Sequence, residues 1–318
     1  MSPSIESILE QRLGKLHARQ RLGIEAEMKP RVFRNGINFF HPENWLSLQT
    51  ILNAGLRITG LYNRSRRNTL AIHVRKNTVT LPELPSVFEG YTILHMSDLH
   101  VDMYPQALHA LIETIRPLKY DLCVLTGDYR AQTHGSIDNA VQGMQQLGVH
   151  LRQPVYAVLG NHDSVRMLPA LEDAGIRMLL NESVTLKRDN ASLYLAGIDD
   201  AHYYRVDNIE KAAEGVEQGI VSILLSHTPE VYRQAAHAGF RLMFCGHTHG
   251  GQVCLPGGYP LTLDAKCPRY MGSGAWNYHT MLGYTSAGAG TSIIPARLNC
   301  PPEITLHTLR KRANKKID

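Results

Sequence analysis

From residue 91 onward, short runs of consecutive apolar residues alternate with segments in which apolar positions recur every three or four residues. The runs YTILHM (91–96), DLCVLT (121–126), PVYAVL (154–159), SLYLAG (192–197), SILLS (222–226) and RLMFC (241–245) read as buried strands. Between them, residues 105–117, 137–150 and 229–239 have the spacing of amphipathic helices. Alternation of this kind predicts a layered α/β architecture. Ahead of it, KNTVTLPELPSVFEG (76–90), with prolines at 82 and 85, reads as a linker or edge strand that brings the N-terminal part onto the core.

The first 80 residues follow a different pattern. Trp45, Leu48, Ile51, Leu52, Leu56 and Ile58 fall near helical spacing, and Arg57, Arg64, Arg66 and Arg67 follow closely. This part holds 13 Lys and Arg against 5 Asp and Glu, while the whole chain sums to only +5, so the remainder is net negative. Two readings of residues 44–67 stand: a helix packed on the main domain with a solvated basic end, or an interfacial helix set against an anionic membrane surface. The organisation expected is a basic N-terminal extension with an amphipathic helix (1–80), a catalytic-size domain (81–310) and a basic tail (311–318). At 318 residues and 43% hydrophobic, the chain can bury one substantial core.

Five cysteines without CxxC spacing argue for a reducing compartment and no disulfide framework. No apolar run reaches the roughly 18 to 20 residues of a spanning helix, and the N-terminus lacks a signal-peptide layout. The expected location is cytoplasmic, with peripheral attachment to the inner face of the membrane under the interfacial reading. A charge of +5 without aromatic and basic interleaving is a weak nucleic-acid footprint.

The residues that follow the strands bear the chemistry. After 91–96 comes Ser97-Asp98-Leu99-His100; after 121–126, Gly127-Asp128; after 154–159, Gly160-Asn161-His162-Asp163; after the SILLS run, His227; and after 241–245, Gly246-His247-Thr248-His249. Sites in α/β sheets form beyond the carboxyl ends of strands, so these groups are expected to converge. Residues i and i+2 of an extended segment point the same way, which lets Asp98 with His100, and His247 with His249, each offer two ligands to one cavity. Carboxylate, imidazole and one amide, with no thiolate nearby, suit Mn, Fe, Zn, Ni or Co better than a closed structural zinc site. Seven donors are too many for one ion that keeps an open position; they suit two ions sharing a carboxylate.

The ordered blocks D-x-H, GD, GNHD, a lone His and GHTH resemble the calcineurin-like metallophosphoesterase superfamily over about residues 91–309. That resemblance implies a two-sheet α/β/β/α sandwich with two divalent ions, manganese first among them. The first ion would sit on Asp98, His100, Asp128 and His249, the second on Asp128, Asn161, His227 and His247, with Asp128 as the bridge. Such a pair activates a water and clamps a phosphate for in-line attack. His162 matches the family's catalytic histidine, serving the leaving oxygen, with Asp163 expected to hold its imidazole.

The sequence reads GDYRAQTHG where the protein phosphatases have GDxxDRG. Instead, GHTHGGQV, LAGIDD and IIPARLNCPPEITLHTL look like the bacterial YkuE/YaeI-like branch, which includes the chlamydial type of UDP-diacylglucosamine hydrolase. The function so implied is hydrolysis of a phosphodiester or pyrophosphate bond on a lipid-linked substrate such as UDP-diacylglucosamine or a phospholipid. The alternatives are a soluble nucleotide phosphodiesterase or phosphomonoesterase, and a non-catalytic metal-binding module. Asp102 reads as a support for the ligands. Asp199, Asp200, His202, Tyr203 and Tyr204 read as a substrate wall, and Arg130 as either a phosphate contact or an exposed side chain.

Overall fold

The computed structural model of the chain describes residues 3–27, 46–216, 220–260 and 262–311. Four helices come first: α1 (Ile5–Leu13), α2 (Lys15–Glu27), α3 (Leu46–Ile58) and α4 (Tyr62–Asn68). Then follow β1 (His73–Leu81), β2 (Thr92–Met96), α5 (Pro105–Ile115), β3 (Leu122–Thr126), α6 (Asp138–Gly148), β4 (Val155–Val158), α7 (Leu168–Asp173) and β5 (Ile176–Met178). The second half runs β6 (Glu182–Arg188), β7 (Ala191–Gly197), α8 (Ile209–Ala213), β8 (Ser222–Leu225), α9 (Tyr232–His237), β9 (Leu242–Cys245), β10 (Cys254–Leu255), β11 (Tyr259–Pro260), β12 (Gly274–Tyr278), β13 (Met281–Thr285) and β14 (Glu303–Lys311).

These strands build two six-stranded mixed sheets, ordered β1-β14-β2-β3-β4-β5 and β12-β13-β9-β8-β7-β6. Within each sheet the inner strands β2, β3 and β4, or β7, β8 and β9, run parallel. Alternation of side chains explains why their sequences are apolar throughout, because both faces are covered. In β3, Leu122 and Val124 face the second sheet while Cys123 and Leu125 face the layer of α5, α6 and α7. In β9, Leu242 and Phe244 meet the first sheet while Met243 and Cys245 meet the layer of α8 and α9. The result is the α/β/β/α sandwich, with the N-terminal helices added at its side.

Every strand expected from the sequence is present. The segment 76–90 divides: β1 is an edge strand parallel to β14, and Ser86–Phe88 form a short 3-10 helix leading into β2. Expected helix 229–239 is a 3-10 turn, Pro229–Val231, followed by α9. Helix α3 begins at Leu46; Trp45 and residues 312–318 of the basic tail lie outside the described residues. No helix among the described residues is long and apolar enough to cross a membrane.

Candidate metal centre

The loops after the inner strands are bonded to one another through their backbones. Asp98 N donates to Gly127 O at 2.9 Å, His100 N to Asp128 O at 3.0 Å, and Gly290 N to Asp98 O at 2.8 Å. This tight crossing forces unusual conformations. Asp98, His100, Asp128, His247 and His249 all have positive φ, between 40° and 72°, a region that costs a non-glycine residue free energy and persists only when the surroundings impose it. Two glycines make room. A Cβ on Gly160 would overlap Asp128 Oδ1, and one on Gly246 would overlap Ser97 Oγ.

Seven side chains that the sequence places up to 151 residues apart are thereby gathered and buried. Asp98, His100 and His249 present ligand atoms within 4.8 Å of one another, and so do Asp128, His227 and His247. Asn161 joins the second group, its Oδ1 2.8 Å from His227 Nε2. Asp128 lies between the groups: its Oδ2 is 3.3 Å from His227 Nε2 and 3.9 Å from His100 Nε2. The two histidines of the GHTH block therefore belong to different groups.

The donors fit cations. His100 Nε2 and His249 Nε2 face each other at 3.1 Å, as do His227 Nε2 and His247 Nδ1. His100 Nδ1 donates to Arg130 O at 2.8 Å and His227 Nδ1 to Thr126 O at 2.7 Å, so the lone pairs on Nε2 point inward. Burial pushes His100 down to about 4 and lowers His247 and His249 well below the ordinary imidazole range, which keeps these rings neutral and able to ligate. At His227 burial acts in the same sense, but Asp128 and Asp98 outweigh it and lift the ring to about 10. The carboxylates draw positive charge into the centre, as a pair of divalent ions would satisfy.

His162 sits beside the second oxygen of the central carboxylate, Nε2 3.8 Å from Asp128 Oδ2. Asp163 does something other than hold that ring. Its Oδ2 accepts from Asp128 N at 2.8 Å and Gly160 N at 2.9 Å, and its Oδ1 from Tyr129 N at 2.8 Å and Arg130 N at 3.3 Å, while His162 Nδ1 is buried without a hydrogen-bond partner among the described residues. Four amides around one buried carboxylate satisfy it more fully than one imidazole could, and they tie the β3 loop to the β4 loop. Arg130 also departs from both expectations. It is buried, and its guanidinium donates to the carbonyls of His162, Thr133 and Gly135.

Asp102 accepts from Ala131 N at 2.7 Å, which steadies the same β3 loop. Of the expected substrate wall, Asp200 accepts from the amides of Tyr203 and Tyr204, and Asp199 is paired with Arg21 and His17. His202 is the member that reaches the donors, its ring 4.2 Å from that of His247. Arg297 escaped notice in the sequence. It is fully buried and donates to His249 O at 3.0 Å, Ala287 O at 2.8 Å and Gly290 O at 2.6 Å. Only its place in an apolar stretch, IIPARLN, hinted at burial.

Beside the donors opens a cleft of about 700 Å³. Asp128, His162, His247 and His249 lie at one side; Ile51, Leu52 and Leu56 of α3 and Ile294 and Leu298 lie on the others. Two stacked mixed sheets with clustered imidazoles and carboxylates beyond their strand ends define a metal-dependent phosphoesterase. The family model for calcineurin-like phosphoesterases matches residues 91–251, and the chain belongs to that family. Among curated relatives, the chain is 29% identical over 259 residues to the uncharacterized metallophosphoesterase YkoQ of Bacillus subtilis (77% of this chain, 93% of the relative). It is 30% identical over 264 residues to an uncharacterized metallophosphoesterase of Aquifex aeolicus (79% and 96%). It is 28% identical over 232 residues to the phosphodiesterase YaeI of Escherichia coli (68% and 81%).

Proposed function

We propose that the protein hydrolyses a phosphodiester or pyrophosphate bond in a lipid-linked substrate, such as UDP-diacylglucosamine or a phospholipid. The carrying observation is the cleft, which puts clustered metal donors on one side and the apolar side chains of α3 on another. Asp98, His100, Asp128 and His249 would hold one divalent ion, and Asp128, Asn161, His227 and His247 a second, with Asp128 shared. Manganese is the first candidate. When bound, such ions activate a water and stabilise charge on the phosphoryl oxygens.

The chain's own residues supply the rest. His162, within the cleft and not needed as a ligand, would deliver a proton to the leaving oxygen. Asp163 fixes the two loops that bear Asp128 and Asn161, and so acts as a positioning residue. Ile51, Leu52 and Leu56 would lie along an acyl chain, while Arg57, Arg64 and Arg67 face anionic headgroups at a membrane surface. The relative named as a phosphodiesterase supports the reaction class.

The test is a substrate panel. Purified protein, stripped by chelator and reloaded with Mn, should hydrolyse UDP-diacylglucosamine or phospholipid in preference to cyclic nucleotides and simple monoesters. Preference for a cyclic nucleotide, with no gain from an acyl chain, would overturn the lipid reading. His162→Ala should abolish turnover while metal content stays near two per chain; retained turnover would remove His162 from the mechanism.

A further inference from the structure

Helix α2 lies outside residues 91–251, yet it is bonded directly to the loop that presents His162. Arg21 is fully buried; its Nη2 donates to Asp163 O at 2.8 Å, its Nη1 to Asp199 at 3.2 Å and its Nε to Glu25 at 2.9 Å. The guanidinium carbon stands 3.4 Å from the centre of the Tyr204 ring. Glu25, one helical turn on, accepts from Ser164 Oγ at 2.6 Å and from Val165 N at 2.7 Å. On the other side Arg130 donates to His162 O. Four successive residues, 162–165, are thus gripped, the first two by guanidinium groups on their carbonyls and the next two by a carboxylate.

Packing alone does not explain this choice. An apolar side chain at position 21 would bury area without desolvating a charge, so a buried Arg spanning three acceptors favours one placement of α2 over its neighbours. The ring it serves needs such help. Among the described residues His162 Nδ1 has no hydrogen-bond partner, so the ring's direction rests on its edge-on packing against His100, 5.1 Å between centroids, and on the backbone that carries it. We infer that α2 is part of the catalytic machinery: Arg21 and Glu25 are positioning residues that fix the backbone of 162–165 and thereby aim the His162 imidazole at the leaving oxygen. This rests on the reading of His162 as proton donor.

The experiment compares two diesters, bis-p-nitrophenyl phosphate and diphenyl phosphate, whose phenolate leaves less readily and depends more on proton delivery. Full-length Mn-loaded wild type, Arg21→Lys, Glu25→Ala and His162→Ala are each assayed for kcat and KM, with melting midpoint and metal content as controls. Arg21→Lys keeps the charge but loses the fork; Glu25→Ala removes a carboxylate at the rim and leaves Arg21 paired with Asp199. The expected result is a kcat loss on diphenyl phosphate of about ten- to a hundredfold in both brace variants, a much smaller loss on the nitrophenyl ester, and unchanged KM. Equal losses on both esters, or none, would make α2 a merely structural helix and overturn the inference. If His162→Ala itself treats the two esters alike, the proton-donor reading fails first and is seen to fail separately.

Discussion

The two helix pairs in the first 80 residues differ in charge and have opposite fates: four Lys and Arg balance four Glu across α1 and α2, whereas α3 and α4 carry four Arg and no acidic residue. In α1 and α2 the apolar residues Leu9, Leu13 and Ala18 are buried against the α5–α7 layer, and the charged residues are paired: Arg12 with Glu172 and Glu182, His17 and Arg21 with Asp199. In α3 the apolar residues stay in the open. Ile51 is 58% and Ile58 86% exposed, and Arg57 lies over the Tyr62 ring, 4.4 Å away. The lesson is that the charged residues of a segment say little about its role until their partners are known. Acidic partners on the sandwich turn α1 and α2 into structure; α3, whose Arg57 makes no ion pair among the described residues, leaves an apolar wall with basic residues near it.

The comparison is broken most severely by removing one member. A chain lacking residues 1–27 loses the burial of Leu9 and Leu13, about 1.5 to 3 kcal/mol each, together with the ion pairs that His17 and Arg21 make with Asp199. Urea unfolding of that chain should show a greatly lowered midpoint, and an unchanged midpoint would mean that α1 and α2 are not part of the core.

Next comes the basic character of α3 and α4. Replacing Arg57, Arg64 and Arg67 with Ala should weaken sedimentation with anionic vesicles by about 1 kcal/mol per arginine, more at low salt than at high salt, with the melting midpoint untouched. Arg66 is left out because it stacks on Tyr104 at 4.7 Å. Binding that is indifferent to all three changes would exclude the membrane surface as a partner of this face.

A smaller effect is expected from Ile51→Ser with Leu52→Ser. Stability should stay within about 0.5 kcal/mol, since both are exposed, while KM for an acylated substrate rises about tenfold and kcat on bis-p-nitrophenyl phosphate holds. A rise in KM for both substrates would show that α3 shapes the cleft generally and does not read the acyl chain.

The least effect near neutrality, and the sharpest test of the contrast, is the response to acid. Burial by itself would raise the Asp199 carboxyl, but Arg21 and His17 outweigh it and hold it below its ordinary 3.8. A carboxylate with a lowered folded pKa adds stability above 3.8, and that part is lost as the pH falls through the folded value. The stability gap between wild type and Asp199→Asn should therefore be constant near neutrality and shrink on acidification below about 3.8. The α3 serine variants should show no such pH dependence relative to wild type.

Legibility in the sequence followed the range of the interaction. The seven candidate donors could be picked out because each stands shortly after the end of an apolar run and because the i, i+2 pairs are local. Their positive φ angles could not be read, since they come from loops pressing on one another. Asp163 was misread for the same reason: adjacency to His162 suggested a partner for the ring, whereas amides from a loop 35 residues earlier took its oxygens. Arg130 and Arg297 looked like ordinary polar residues, because nothing near them in the chain reveals that carbonyls elsewhere need a buried donor. Arg21 and Glu25 carry no local mark of their role, because their partners Asp163, Ser164 and Asp199 lie far along the chain.

By itself, then, the sequence determined where strands stop and which chemical groups stand at their ends, because burial of apolar runs and the direction of side chains along a strand are properties of a few consecutive residues. Which of those groups face one another, which carboxylate is spent on backbone amides, and which N-terminal helices are locked down were settled only when the two sheets stacked. Hydrogen bonds and ion pairs take whichever partner packing brings within about 3 Å, and that proximity is not written in any local stretch of chain.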